Sequence, residues 1–278
     1  MTDARTTWAV ATAVAVARAQ GLRVDDPVVL AEGYSVRVHV APSPVVVRVP
    51  TVAATTRPPI RPWLERELAV TTWLHAVGAP VVPPTDLADP GPHEHDGGVV
   101  SLWQRVDVDP QPVEGPRYAA ALADLHDALA SYPGELPVLP GPRTDIAFGL
   151  PACEALLVPD DLAVAHATRA RLAPWLDGHP DGLVPVHGDS HTGNLVRTTS
   201  GALLWNDWED VGLGPVEWDL ASLTLGDGVA AAYPRALDPQ RLADCRLMRR
   251  LQVLVGTVGA GFEVDATVLG QWVEGLGR

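Results

Sequence analysis

The alternation of apolar and polar positions changes period along the chain and divides it into two unequal stretches. Residues 8–17 are apolar and Ala-rich and end before Gly21, which predicts a first helix. Residues 24–30, 35–40 and 45–49 are short β-branched runs. Glu32-Gly33-Tyr34 and Ala41-Pro42-Ser43-Pro44 separate them, the pattern of an antiparallel meander. Leu64, Leu68, Trp73 and Val77 fall on one side of a helix over 62–77, which Gly78 and Pro80 stop. Residues 81–87 and 99–106 predict two further strands around a polar, Pro- and Gly-rich turn at 89–98.

Helices dominate from there on. Residues 118–131 predict one, with Ala121, Leu122, Leu125 and Leu129 along one side. Residues 133–151 read as a Pro-rich connection and 152–176 as a helix interrupted by prolines. Short strands at 184–196 and 202–207 surround a loop, and helices over 215–231, 238–258 and 263–276 finish the chain. No internal repeat is visible. The expected fold is α+β: a small N-terminal antiparallel-sheet lobe over 1–105, then a larger, mainly helical lobe over 106–278.

Composition narrows the function. Acidic residues outnumber basic ones by 34 to 20, a net charge of −14, which argues against a nucleic-acid binder and would suit a cationic partner. Every basic residue is Arg, so Schiff-base chemistry and a Walker-type phosphate lysine are excluded. Cys153 and Cys245 make neither a disulfide framework nor a zinc site, as in a reducing compartment. No apolar run approaches the ~20 residues of a membrane span. Residues 8–17, before Ala17-Arg18-Ala19, imitate a secretory leader. Asp3 beside Arg5 breaks that pattern, and a cytoplasmic protein is expected.

The informative segment is Val186-His187-Gly188-Asp189-Ser190-His191-Thr192-Gly193-Asn194-Leu195. An Asp five residues before an Asn, with a His two residues earlier, repeats the spacing of a kinase catalytic loop. There the Asp accepts the proton of the attacking hydroxyl and the Asn helps hold magnesium. A polar turn in which both side chains satisfy backbone groups would use the same residues. Eighteen positions after Asp189, the apolar run Leu203-Leu204-Trp205 ends in Asn206-Asp207-Trp208-Glu209-Asp210. Asp207 at such a strand end suits a hard cation, or a solvated turn. Gly212-Leu213-Gly214-Pro215 and Glu217-Trp218-Asp219-Leu220-Ala221 follow, Asp219 reading as a structural cap.

These three motifs, in this order, resemble the aminoglycoside phosphotransferase family, which includes choline-kinase-like and homoserine-kinase-like enzymes and shares the two-lobed protein-kinase fold. The resemblance covers most of the chain. It implies Asp189 as catalytic base, His187 as brace of the loop, and Asn194 and Asp207 as Mg2+ ligands. The turn at Gly33 and Ser35 would cover the nucleotide, although it is poorer in glycine than a kinase loop. Arg48 stands where kinases place a phosphate-binding Lys and Glu67 where its ion-pair partner stands. A surface arginine and a solvated helix charge beside Glu65 and Arg66 are the plainer alternatives. Gln104 and Val106 would lie at the hinge that receives adenine. His126 reads as packing or capping, and His93 and His95 as loop residues.

The implied activity is Mg2+-dependent transfer of the γ-phosphate of ATP or GTP to a hydroxyl of a small molecule, an aminoglycoside or another antibiotic first. A choline- or homoserine-like metabolite kinase and a weakly catalytic pseudokinase are the rivals. Helices after Asp219 and residues 143–180 would build the acceptor pocket, with Glu209, Asp210, Glu263 and Asp265 receiving ammonium groups and Trp208 and Trp272 as lining. A monomer or homodimer without nucleic-acid or membrane partners is expected.

Overall fold

In the computed structural model, which describes residues 4–277, valines organise the beginning of the chain. Asp3, in the leader-like segment, lies outside the described residues. Helix α1 (Ala4–Ala19) precedes β1 (Val24–Ala31), β2 (Ser35–Pro42) and β3 (Val45–Pro50). Then come α2 (Val52–Thr56), α3 (Arg61–Ala76), β4 (His93–His95), β5 (Gly98–Gln104) and β6 (Val108–Asp109). Helices α4 (Gly115–Leu129), α5 (Pro140–Cys153), α6 (Pro159–Arg171) and α7 (Ala173–Leu176) lead to β7 (Val184–Val186). Strands β8 (Leu195–Thr198), β9 (Leu203–Trp205) and β10 (Gly212–Gly214) precede α8 (Asp227–Ala232), α9 (Pro239–Gly259) and α10 (Ala266–Glu274). Two compact units result: Met1–Pro110 with Val196–Glu209, and Gln111–Leu195 with Asp210–Arg278.

In the first unit the sheet order is β1-β2-β3-β5-β4, all antiparallel. Because side chains alternate along a strand, Val36, Val38 and Val40 of β2 and Val45, Val47 and Val49 of β3 share one face. Ala9, Ala13, Val16 and Ala17 of α1 cover that face, and all ten side chains are buried. The small residues of α1 let its backbone lie close, and each buried valine contributes about 1.5 kcal/mol. The opposite face is left to the intervening polar residues, Arg37 and Arg48 among them.

Two expectations for this unit are corrected. Residues 81–87 form isolated bridges, Val81 to Trp205 and Pro84 to Trp103, and no strand. Pro83 and Pro84 lack the N–H groups a ladder needs. The fifth strand is β4, from the segment read as a turn, and Asp96 and Gly97, at φ +46° and +75°, close its two-residue hairpin to β5.

In the second unit α5 and α9 pack against each other through Ile146, Leu150, Met248, Leu251 and Val255, all buried. The sequence at 133–151 reads as a connection, yet most of it is helix α5. Pro140 and Pro142 sit in its first turn, where a missing N–H costs nothing. The helix expected over 215–231 is instead a 3₁₀ turn at Val216–Trp218 followed by the short α8. Asp238 caps α9, accepting from the amides of Gln240 (2.8 Å) and Arg241 (3.0 Å). Among the described residues no helix is long and apolar enough to cross a membrane.

The α5–α9 contact is closest at two glycines. A Cβ on Gly149 would lie 2.1 Å from the Val255 carbonyl oxygen, and one on Gly259 would lie 2.6 Å from the Gly149 Cα. Backbone on both sides leaves no flexible atom to yield. Gly149→Ala is therefore expected to cost about 1–3 kcal/mol, as overpacking does. The midpoint of urea unfolding reads this, and an unchanged midpoint would contradict the close approach.

Candidate active site

The first unit carries a closed ionic cluster on the sheet face opposite α1. Arg48 leaves β3 and reaches Glu67 on α3, its Nη1 lying 2.6 Å from both carboxylate oxygens. Its Nη2 lies 2.9 Å from Asp207 Oδ1 and also pairs with Glu209, while Nε donates to Ser35 Oγ at 3.3 Å. Arg57 pairs with the other oxygen of Glu209, and Arg37 of β2 pairs with Asp207 Oδ2. Glu67 also accepts from the Trp208 amide at 3.0 Å, which ties α3 to the turn after β9. Arg66 donates to the Glu209 carbonyl at 2.7 Å, and the Trp63 ring lies under both Arg57 and Arg66. Asp207 itself has φ +66°, unusual for a non-glycine residue and costly by about 1–3 kcal/mol. Two guanidiniums on its carboxylate hold it there.

Burial alone would make the Arg48 guanidinium easier to deprotonate, but Asp207, Glu209 and Glu67 outweigh it and hold its pKa above the ordinary value. Burial pushes the Glu67 carboxyl up, against the pull of Arg48 and with the help of Asp207 and Glu209. Desolvation at such a cluster is expensive, and removing one partner strands a buried charge at a cost of about 3–5 kcal/mol. Arg48 and Glu67 are thus neither a surface arginine nor a solvated helix charge: both are buried and paired.

Other expected residues of this unit are placed as follows. Gly33 lies in the β1–β2 turn, where an added Cβ would meet nothing within 4 Å. Ser35 is committed to Arg48, and the Tyr34 carbonyl accepts from the amides of Thr51 and Ala53, pinning the turn. Gln104 ends β5 with its amide donating to the Pro83 carbonyl at 3.1 Å, and Val106 follows half-buried. Trp208 is fully buried and lines no surface, contrary to the pocket role expected for it. Glu209 is consumed by Arg48 and Arg57, so it is no receptor for an ammonium group.

In the second unit, residues 187–194 form a loop after β7 that is held mainly through His187, Gly188 and Ser190. Asp219, fully buried, accepts from the amides of His187 (2.7 Å) and Gly188 (2.9 Å) and from His126 Nε2 (2.9 Å). Ser190 Oγ donates to the Asp219 carbonyl, Trp218 Nε1 to the Gly188 carbonyl (2.8 Å), and Tyr118 to the Ser190 carbonyl (2.8 Å). Gly188 has φ +89°, and a Cβ there would come 2.0 Å from the Asp210 carbonyl oxygen, so only glycine fits. Burial would raise the Asp219 pKa, but the hydrogen bond and charge of His126, with His187 and the Gly188 amide, hold it below the usual carboxylate value. His126 thus orients Asp219, with Nδ1 on the Tyr233 hydroxyl at 2.7 Å.

This scaffold buries His187, Ser190 and Asn194 and presents Asp189, whose side chain keeps 33% of its surface. The Asp189 amide donates to His187 Nδ1 (3.3 Å), and Asn194 Nδ2 donates to the Asp189 carbonyl (2.8 Å). With its amide nitrogen spent there, Asn194 has its carbonyl oxygen to offer a cation. Asp207, in the other unit, has carboxylate oxygens. Both are hard donors of the kind Mg2+ prefers. Among the described residues no three His, Cys, Asp or Glu side chains gather as a metal site.

Sequence reading missed Arg249. Its Nη1 lies 3.3 Å from Asp189 Oδ1 and 2.9 Å from Gln252 Oε1, and Nη2 donates to the Gly188 carbonyl at 2.8 Å. The guanidinium lies 3.9 Å from the Trp218 ring centre, and Gln252 passes the chain on to Asp145 at 2.7 Å. The signal was present: Arg249 falls on the helical stripe of Cys245, Met248 and Gln252, a charge at a core position. His191 Nε2 stands 3.6 Å from the other Asp189 oxygen. Of the remaining acids expected to receive ammonium groups, Asp265 is instead the cap of α10 and Asp210 is buried. Trp272 borders a pocket of about 230 Å³ with Leu223, Val253 and Arg250.

A small antiparallel sheet in one unit, a mainly helical second unit and a His-Gly-Asp loop ending in Asn together define a kinase-like phosphotransferase. The model of the phosphotransferase enzyme family matches residues 28–254, and the chain belongs to that family. No individual curated protein matches the sequence. Among solved structures, an amicoumacin kinase in complex with AMP-PNP, Ca2+ and Ami is similar over 94% of this chain and 92% of its own, with TM-score 0.70 and 14% identity. Aminoglycoside phosphotransferase APH(4)-Ia is similar over 97% and 98%, with TM-score 0.66 and 16% identity. Choline kinase LicA from Streptococcus pneumoniae is similar over 95% and 98%, with TM-score 0.64 and 12% identity. At such identities the likeness is one of fold.

Proposed function

We propose that the protein transfers the γ-phosphate of ATP or GTP, with Mg2+, to a hydroxyl of a small molecule, and that aminoglycosides and other antibiotics are the acceptors to test first. The observation that carries this reading is the loop that buries His187, Ser190 and Asn194 and leaves the Asp189 carboxylate partly exposed between them. Residues 1–105 act as the nucleotide-binding lobe, with the Asp207 segment packed beside them, and 106–278 as the catalytic and acceptor-binding lobe.

In this reading Asp189 accepts the proton of the acceptor hydroxyl as it attacks phosphorus, and His187 braces its loop. Arg48, held by Glu67, meets phosphate oxygens, with the Gly33–Ser35 turn beside them. Backbone groups near Gln104 and Val106 receive the base. Asn194 and Asp207 would hold Mg2+, which supplies neutralisation of phosphate charge when bound. A guanidinium in place of an ammonium keeps the charge permanent, and Arg48 Nη2, shared with Asp207 and Glu209, is the donor that would turn to phosphate.

A second reading concerns the acceptor. Arg249, its guanidinium 3.3 Å from Asp189, opposes an ammonium group beside the reacting hydroxyl. That charge favours a metabolite whose groups next to the hydroxyl are neutral or anionic. Nucleotide consumption with MgCl2 is to be measured over aminoglycosides, other antibiotics, choline and homoserine. Acceptor-dependent turnover is expected. Nucleotide binding without turnover on any acceptor would favour a pseudokinase.

A further inference from the structure

Arg37 has no part in the chemistry described so far, yet it points at the centre of the first unit's ionic cluster. It sits on β2 directly opposite Arg48 on β3. Cross-strand partners share a face, so both guanidiniums leave the sheet on the side away from the valines. They take the two oxygens of one carboxylate: Arg37 holds Asp207 Oδ2 and Arg48 holds Oδ1 at 2.9 Å. Their exposure differs. The Arg48 side chain keeps 6% of its surface and is braced by Glu67 and Glu209, whereas Arg37 keeps 32% and pairs with Asp207.

We propose that Arg37 is a second phosphate-binding cation, which shares with Arg48 the contact to the nucleotide's phosphates and which Asp207 holds while no nucleotide is bound. The inference rests on the reading of Asp207 as a metal ligand and of Arg48 as a phosphate contact. Its basis is charge balance within the cluster: Arg37, Arg48 and Arg57 face Glu67, Asp207 and Glu209, and the six charges cancel. A cation on Asp207 alone would take the carboxylate from Arg37 and leave Arg48 with Glu67 and Glu209. A polyphosphate alone would compete with Asp207 for guanidiniums already paired. Arriving together they exchange partners, the carboxylate turning to the metal and the guanidiniums to phosphate oxygens, and every charge stays compensated. Metal and nucleotide therefore bind synergistically, and the partly exposed Arg37 is the side chain that moves.

The test is a calorimetric titration of the full chain with ATP, with and without MgCl2, and with adenosine as the phosphate-free control. Arg37→Met is expected to weaken MgATP binding roughly 10- to 100-fold, the loss of one charge-assisted contact, with adenosine affinity unchanged. Arg37→Lys should recover part of the loss. Asp207→Asn should tighten metal-free ATP binding by releasing Arg37, while Arg48 keeps Glu67 and Glu209, and the gain should vanish when Arg37→Met is added. MgATP affinity equal to wild type in Arg37→Met would overturn the inference, as would metal-free ATP binding indifferent to Asp207→Asn. Loss of adenosine binding along with ATP would make Arg37 a structural residue and overturn it equally. A wild-type chain that binds no MgATP would instead remove the proposed function itself.

Discussion

Asp189→Asn is expected to slow phosphoryl transfer roughly 10²- to 10⁴-fold, the range lost with a general base, while fold and nucleotide affinity survive. The scaffold explains why the effect should be confined to chemistry. The loop is held by Asp219, Trp218 and Tyr118 through backbone atoms of His187, Gly188 and Ser190. Asn194 bonds the Asp189 carbonyl at 2.8 Å, with its carboxylate only a long secondary partner at 3.4 Å. Arg249 keeps Gly188 and Gln252 when the charge beside it is gone. Asp189→Ala serves as companion, since an amide could still orient a hydroxyl. Steady-state kcat, nucleotide affinity and the urea midpoint are to be measured together. Turnover near wild type in both variants would remove Asp189 as the base.

Asp219→Ala should have the largest effect on stability. Its carboxylate is fully buried and accepts from three donors, the amides of His187 and Gly188 and the His126 ring. Each donor left unsatisfied costs about 1–3 kcal/mol, so a loss of at least about 3–5 kcal/mol is expected. The same group sets an acid limit. Its folded pKa lies below the unfolded value, so the ionised form stabilises the fold above the unfolded pKa of about 3.9, and that contribution is lost as pH falls through the folded value. Asp219→Asn should be less stable at pH 7 and show a flatter decline below about pH 4. Urea midpoints across that range check both, and parallel curves for wild type and Asn would exclude Asp219 as the acid-labile group.

The elements that the sequence revealed best are those whose pattern is local. The valine alternation at 36–40 and 45–49 becomes β2 and β3, and the meander and helical second part follow the expected α+β, kinase-like plan. The errors cluster at proline. Pro83 and Pro84 sit in an apolar run that imitates a strand, whereas Pro140 and Pro142 open a helix that imitates a connection. In both cases the missing N–H decides, and its consequence depends on position within the element. Within the candidate site, the spacing from His187 to Asn194 is readable because a tight loop must be contiguous. Partners such as Arg37 for Asp207, or Arg249 for Asp189, lie 170 and 60 positions away along the chain, and only packing brings them together.

Filling the β3 position with Arg48, in a chain whose basic residues are all arginine, bears on how the enzyme can be detected and inhibited. Acylating nucleotide probes that tag a kinase through a side-chain amine find no such nucleophile here, and aldehyde warheads have no side-chain amine with which to form an imine. Acetylation of a side-chain amine, which would remove its charge, is equally closed to it. Reagents aimed at guanidiniums, such as phenylglyoxal, are the covalent route to this cluster, with the partly exposed Arg37 ahead of Arg48.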